Sequence, residues 1–231
     1  MPLYYYFDPT ILIVLPALIL AIWAQINVKS TYSKYSKLKT SGGVTGFDAA
    51  RRILDANGLY DVSIEMIRGE LTDHYDPRAN VIRLSEAVYS STSAAAVGVA
   101  SHEAGHAVQH AVGYGPIKLR SSIISVTNFG SMMAMPLFLI GIIMVSQPLM
   151  YAGIILYSLV AVFQLVTLPV EFDASKRAMV ALSDSGRFSE EELRASRKVL
   201  SAAALTYVAA LASSLLSLLR LIIIANGRSR R

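Results

Sequence analysis

The chain has 231 residues, of which 54% are hydrophobic and 16% are charged, with no cysteine and a formal net charge of +5. Soluble domains average about 45–50% apolar and about 25% charged residues, so this composition excludes a disordered chain and is unusual for a soluble protein. The lack of cysteine excludes disulfides, thiolate metal sites and cysteine nucleophiles. Acidic residues are interspersed with the basic ones, so we expect no nucleic-acid binding.

Four long apolar runs predict membrane-spanning helices. They cover residues 11–26, 123–145, 149–170 and 202–225. A helix needs about 20 apolar residues to cross about 30 Å of hydrocarbon, and the last three runs reach that length. The fourth run contains Arg220, which would either snorkel to an interface or lie on a helix that rests partly on the membrane surface.

The basic residues predict how the chain is oriented in the membrane. Of the 21 Lys and Arg residues, eleven lie in 28–120 and six lie in 171–201, whereas the link between the second and third runs has none. The positive-inside rule therefore places both basic segments in the cytoplasm and both termini outside. We expect an integral protein of a prokaryotic inner or cell membrane, with its active site facing the cytoplasm.

The segment between the first two runs carries the chemistry. It opens with a polar linker at 29–43, and a helix is predicted at 46–57. Short strands are predicted at 64–67 and 81–84, with a turn between them at Asp76-Pro77. A second helix is predicted over 93–112, where alanines follow a Ser/Thr run and a glycine comes after Val112.

The second helix contains the sequence His102-Glu103-Ala104-Gly105-His106, an H-E-x-x-H pattern. Residues four apart lie on one helix face, so the imidazoles of His102 and His106 can reach one zinc ion. Glu103 would lie beside the metal, where it can take a proton from zinc-bound water. The sequence therefore predicts a catalytic zinc site with Glu103 as general base.

A catalytic zinc usually has three protein ligands, so a third must come from elsewhere. The longer H-E-x-x-H-x-x-G-x-x-H pattern fails, because Gln109 and Val112 stand at its last two positions. His110 lies eight residues from His102, about 12 Å along a helix, which is too far for both to bind one ion. A carboxylate remains, and Glu171, directly after the third apolar run, is the first candidate, with Asp173 as its rival.

Three motifs in order resemble the YugP family of neutral zinc membrane metallopeptidases. They are Asp73–Arg78, His102–Gln109 and Glu171–Ser175, and the N-terminal residues 4–10 are similar as well. More distantly, the order of motifs resembles the HtpX and Ste24 membrane proteases, in which an aspartate at the position of Ser175 supports a histidine ligand. The resemblance implies a gluzincin-type site, and a Ser175 hydroxyl could make a weaker version of that contact.

The expected fold is a mainly α integral membrane protein with about four transmembrane helices and a gluzincin-like zinc-peptidase domain containing a small β-sheet. We divide the chain into five segments: an N-terminal transmembrane anchor (1–27), a cytoplasmic catalytic segment (28–120), two transmembrane helices (121–170), a helical segment with the glutamate ligand (171–201), and a fourth hydrophobic helix with a basic tail (202–231).

The predicted function is that of a membrane-embedded metalloendopeptidase with one Zn²⁺ per chain, bound by His102, His106 and Glu171. Its substrates would be membrane or membrane-proximal proteins, because Glu171 borders an apolar run. An extended substrate could pair with a sheet edge at Val81, Ile82 and Arg83, although this strand could equally serve as scaffold. His74 and Tyr75 could donate hydrogen bonds to the oxyanion or only form a turn.

The alternative function is a non-catalytic membrane scaffold or adaptor that zinc stabilises. Structural zinc sites usually have four protein ligands, so three ligands and a free Glu103 argue against it. A transporter has little support, because Arg220 is the exception among spans that otherwise contain few ionisable groups. The expected partners are a protein or peptide substrate, the lipid bilayer, and a membrane partner protein or a second copy of the chain.

Overall fold

The computed structural model describes residues 9–69 and 72–228, so most of the 4–10 motif and the end of the basic tail lie outside the described residues. Helices dominate, and three short strands lie between the second and third helices. In chain order the elements are α1 (Ile11–Tyr35), α2 (Gly46–Ala56), β1 (Ser63–Ile67), β2 (His74–Asp76), β3 (Val81–Ser85), α3 (Glu86–Tyr89), α4 (Ala94–Ala111), α5 (Gly115–Ile143), α6 (Gln147–Asp184) and α7 (Glu190–Arg228).

Four of these helices are long and apolar enough to cross a membrane. They are α1, α5, α6 and the Glu190–Gly227 part of α7. The mainly helical fold with a small sheet is therefore confirmed, and each of the four predicted spans falls on one of these candidate membrane-spanning helices. Each helix extends beyond its apolar run, and residues 29–35 of the expected polar linker continue α1, because no Gly or Pro is present there to end it.

The described residues form two compact units. The first, here the helical unit, comprises 9–24, 119–167 and 206–228. Its helices pack through small residues, since a side chain on Gly153 would meet the Ala134 carbonyl oxygen at 2.7 Å. Its buried cluster includes Phe138, Met150 and Leu221.

The second unit, here the mixed unit, comprises 25–118 and 168–205 and contains the sheet. Its core joins α2, α4 and the sheet through buried side chains that include Leu54, Ile82, Leu84 and Ala104. Thr45 and Asp48 form a capping box at the start of α2. Further along this helix, Ile53 and Leu54 are buried in the core. The alanine-rich face of α4 lets the neighbouring elements approach it closely.

The sheet differs from the prediction in two respects. Its strand order is β1-β3-β2, with β1 parallel and β2 antiparallel to β3. The sequence analysis missed β2, because three residues are too few to show alternation. The expectation that Val81–Arg83 form a free sheet edge was wrong: β3 is the central strand and both of its edges are paired. Its buried Ile82 and Leu84 instead serve as scaffold.

Candidate metal centre

Helix α4 presents the two histidines from inside the mixed unit. Ser93 caps the helix by accepting a hydrogen bond from the Ala96 N–H at 3.2 Å, so the helix begins where the Ser/Thr run ends. Gly105 faces α6 so closely that a Cβ at this position would lie 2.6 Å from the Ala174 carbonyl oxygen. Because glycine has no side chain, α4 packs directly against the part of α6 that carries Glu171.

Three side chains meet between α4 and α6. Ligand atoms of His102, His106 and Glu171 all lie within 4.8 Å of one another. Glu171 Oε2 lies 3.2 Å from His102 Nε2 and 3.5 Å from His106 Nε2. Ligands at the zinc distances of about 2.0–2.2 Å stand about 3.3–3.6 Å apart at the corners of a tetrahedron. The donor set and its spacing therefore fit a zinc ion.

The other ring nitrogen of each histidine has its own partner. His102 Nδ1 lies 3.1 Å from Ser175 Oγ, so the serine hydroxyl contacts one of the two histidines, as the sequence analysis considered for this position. His106 Nδ1 lies 3.0 Å from Gln109 Oε1. Both Nε2 atoms are thereby left for the side on which Glu171 lies, as a metal site requires.

Glu103 lies at the sheet side of the same helix. Its Oε2 accepts a hydrogen bond from the Tyr75 N–H of β2 at 3.0 Å, and the side chain is buried. Within the described residues its Oε1 has no hydrogen-bond partner. One carboxylate oxygen is therefore fixed by the backbone of β2, and the other has no protein partner among the residues that the structure describes.

The pKa values of two neighbouring groups, Asp73 and His106, reflect the negative charge in this region. Burial raises the pKa of Asp73, and the Glu103 charge adds to this, although hydrogen bonds from Ser85 oppose it. Burial works against protonation of His106, but Glu171, Glu103 and Gln109 outweigh it and raise the pKa of this imidazole. The negative charge around His106 favours a cation here, whether proton or metal.

Several predicted residues lie outside the three-residue group. Asp173, the rival ligand, instead accepts hydrogen bonds from Gln109 and Arg177. The ring of His110 packs against Tyr75, with centroids 5.5 Å apart. Arg83 pairs with Asp76 at 2.9 Å.

The two residues considered for the oxyanion lie in β2. His74 Nδ1 lies 2.7 Å from the Thr72 carbonyl oxygen, and the Tyr75 hydroxyl donates to Asn80 Oδ1 at 3.0 Å. Their role at the oxyanion stays a prediction. The sequence analysis also missed a function for Gln109, although its position three residues after His106, on the same helix face, was a signal.

Four apolar helices together with a His-His-Glu group are typical of a membrane metallopeptidase. Residues 10–226 match the family described as "Putative neutral zinc metallopeptidase", and the chain belongs to that family. It is 53% identical over 219 residues to the "Putative membrane protease YugP" of Bacillus subtilis (strain 168), an alignment that covers 94% of this chain and 97% of that protein. No solved structure matches the chain.

Proposed function

We propose that the chain is a membrane-embedded zinc metalloendopeptidase of the gluzincin type, with one zinc ion bound by His102, His106 and Glu171. The observation that carries this proposal is the group of three ligands beside Glu103. The Oε2 atom of Glu103 accepts from the Tyr75 N–H, and its Oε1 atom has no protein partner among the described residues, 9–69 and 72–228. Three protein ligands leave a fourth zinc position open, as in catalytic rather than structural sites.

The residues divide the chemistry between them. Bound here, zinc would supply Lewis-acid chemistry, polarising the scissile carbonyl and acidifying a water molecule. Glu103 accepts the proton of the attacking water through the oxygen that the Tyr75 N–H leaves free, and then delivers it to the leaving nitrogen. Because Tyr75 belongs to β2, the sheet holds the general base at a fixed place relative to α4.

Substrates would be membrane proteins or segments close to the membrane. Helix α6 runs without a break from its apolar part to Glu171. Glu171 comes four residues after Thr167, the last residue of α6 that belongs to the helical unit. An extended substrate would pair with an outer strand, and β2 is the outer strand that contacts Glu103.

The decisive test is a digest of a peptide library by the purified, zinc-loaded protein in detergent, read by mass spectrometry. Glu103→Gln keeps the size of the side chain but removes the base, so we expect cleavage to fall by about 10²- to 10⁴-fold while zinc stays bound. Glu86→Gln, an exposed change at the start of α3, is the matched control and should cleave like the wild type.

The outcomes separate the two functions. Loss of cleavage in Glu103→Gln alone, with its zinc content unchanged, supports the peptidase. If wild type and Glu103→Gln are equally inactive in the digest, and Glu103→Gln still complements a deletion of the gene in cells, the peptidase proposal is wrong and the zinc-stabilised scaffold replaces it.

The proposed orientation has a separate test. The chain has no cysteine, so a single introduced cysteine reports its own position. Met144→Cys, in the link after α5, should react with a membrane-impermeant maleimide on intact cells. Ser185→Cys, after α6, should react only once the cells are broken. The reverse pattern would place the site on the outer face.

A further inference from the structure

Gln109 is a polar residue enclosed in the mixed unit. Its side chain is 0% exposed, and its amide makes three hydrogen bonds. Oε1 meets His106 Nδ1 at 3.0 Å, and Nε2 donates to the Val170 carbonyl oxygen at 2.8 Å and to Asp173 Oδ2 at 2.9 Å. A fully buried amide that is bonded through both of its polar atoms holds its neighbours in one arrangement.

The partners of Gln109 fix which way its amide points. A carbonyl oxygen and a carboxylate can only accept, so the amide nitrogen must face Val170 and Asp173. The amide oxygen then faces His106 and can only accept, which requires the proton of the neutral ring to lie on Nδ1. The Nε2 lone pair of His106 is left free on the side of Glu171.

The same side chain also holds α6. Val170 immediately precedes Glu171, so the bond from Gln109 to the Val170 carbonyl oxygen ties α4 to α6 beside the carboxylate. One residue thus sets both the ring of His106 and the backbone that carries Glu171. Asp173 is itself held by Arg177, whose Nε donates to its Oδ2 at 2.6 Å.

The two histidines are supported unequally. His102 has a hydroxyl partner, Ser175 Oγ, which can rotate to donate or to accept and so does not by itself select a tautomer. The partner of His106 is the side-chain amide of Gln109, whose orientation is fixed by two acceptors, the Val170 carbonyl oxygen and Asp173. Of the two histidines, His106 is therefore the one whose ring is held by a partner of fixed orientation, and that partner is Gln109.

We propose that Gln109 is the positioning residue of the metal centre, which fixes the metal-binding tautomer of His106 and the spacing between His106 and Glu171. This inference rests on the proposed function, because it assumes that these residues bind zinc. Supporting contacts of this kind are worth about 10- to 100-fold in metal affinity.

The test measures zinc affinity by competition with a chelating dye, together with the visible spectrum of the cobalt-substituted protein. Gln109→Leu puts an apolar side chain of similar size in place of the amide and removes all three hydrogen bonds, and we expect zinc to bind about 10- to 100-fold more weakly. Gln109→Glu places a carboxylate beside Asp173 and cannot donate to Val170, so it should bind at least as weakly as Gln109→Leu.

A double variant separates positioning from packing. In Gln109→Glu/Asp173→Asn, the new carboxylate accepts from His106 and from the amide nitrogen that the second change introduces. Arg177, which shares Asp173 Oδ2 with Gln109 in the wild type, is partly exposed and shifts to the new amide oxygen. The bond to Val170 stays lost, so we expect zinc affinity to recover in part, by at least about threefold over Gln109→Glu. This comparison holds even if Gln109→Leu does not fold, which circular dichroism would reveal.

Two results would overturn the inference: Gln109→Leu binding zinc within about twofold of wild type, or the double variant binding no more tightly than Gln109→Glu. His106→Ala distinguishes this failure from failure of the proposed function. If His106→Ala also leaves zinc binding unchanged, the metal centre itself is wrong. If His106→Ala abolishes binding and the Gln109 variants do not weaken it, only the positioning role falls.

Discussion

The helical unit and the mixed unit place their polar and apolar groups in opposite ways. In the helical unit, large apolar side chains such as Phe129 and Ile155 are exposed. In the mixed unit, Glu103, Gln109 and Glu171 are buried and hydrogen-bonded to neighbouring elements. The difference indicates two solvents: exposed apolar surface on this scale suits lipid, whereas buried polar groups need fixed partners.

Helix α6 shows the contrast within one element. Val162 belongs to the helical unit and Val180 to the mixed unit, and their exposed fractions are nearly equal, 49% and 50%. Val162 lies in the part of α6 that has no charged residue, whereas Val180 lies beyond Glu171, the first charged residue of the helix. They therefore offer a matched pair for testing where the membrane lies.

The largest expected effect comes from placing a lysine at each of these valines. Val162→Lys puts a charge near the middle of the apolar run, and we expect it to raise the apparent insertion free energy of α6 by about 3 kcal/mol. Val180→Lys should change it by less than about 0.5 kcal/mol. A glycosylation reporter in microsomes measures both. Equal effects at the two positions would contradict the division between the units.

A smaller effect is expected from filling the space at two helical glycines. Gly105→Ala forces α4 away from the Ala174 carbonyl oxygen and should destabilise the protein by about 1–3 kcal/mol while weakening zinc binding. Gly153→Ala meets the Ala134 oxygen in the helical unit and should cost a similar amount of stability but leave zinc affinity unchanged.

Gly115→Ala is the control for both glycine variants, because a Cβ there meets nothing within 4 Å among the residues that the structure describes. Thermal unfolding in detergent and chelator competition give the two quantities. Retention of zinc affinity in Gly105→Ala would show that the packing of α4 on α6 does not set the site. Loss of zinc affinity in Gly153→Ala would show that the effect is not specific to that packing.

The smallest expected effect concerns the partly exposed ion pair between Arg83 and Asp76 in the sheet. A hydrogen bond from Arg83, with others from the backbone of Arg78 and Ala79, lowers the pKa of Asp76 to about 2. A carboxyl whose pKa is lower folded than unfolded stabilises the fold above about pH 4, and the contribution is lost as the pH falls toward about 2. Asp76→Asn should therefore be slightly less stable than wild type at about pH 7.

This difference should shrink as the pH falls below about 4, since protonation removes the same contribution from the wild type. Denaturant midpoints at about pH 7 and about pH 2.5 measure it. A gap between the two proteins that stays constant with pH would show that the Asp76 carboxylate contributes nothing through its charge.

Local patterns predicted much of the molecule. Apolar length predicted the four long helices, and the Ser/Thr run and the following glycine predicted the ends of α4 within one residue. The choice between Glu171 and Asp173 could not be made from spacing, because either residue follows the same apolar run. Packing brings Glu171 rather than Asp173 to the two histidines: Gly105 lets α4 lie close to α6, and Gln109 and Arg177 donate hydrogen bonds to Asp173.

The parts that could not be predicted depend on contacts between distant segments. Strand β2 exists because it pairs with β3, and its three residues have no pattern of their own. The role of Gln109 depends on Val170 and Asp173, which only the folded chain brings to it. Sequence spacing within a helix thus predicted the histidine pair but not its support.

The order of parts along the chain has a consequence for how the protein is made. His102 and His106 leave the ribosome early, whereas Glu171 follows only after α5 and the apolar part of α6. During synthesis the two histidines remain without their carboxylate until both of these helices have been made. A half-made chain therefore carries only part of the proposed ligand set, and the three side chains can hold one metal ion together only after α6 has been made.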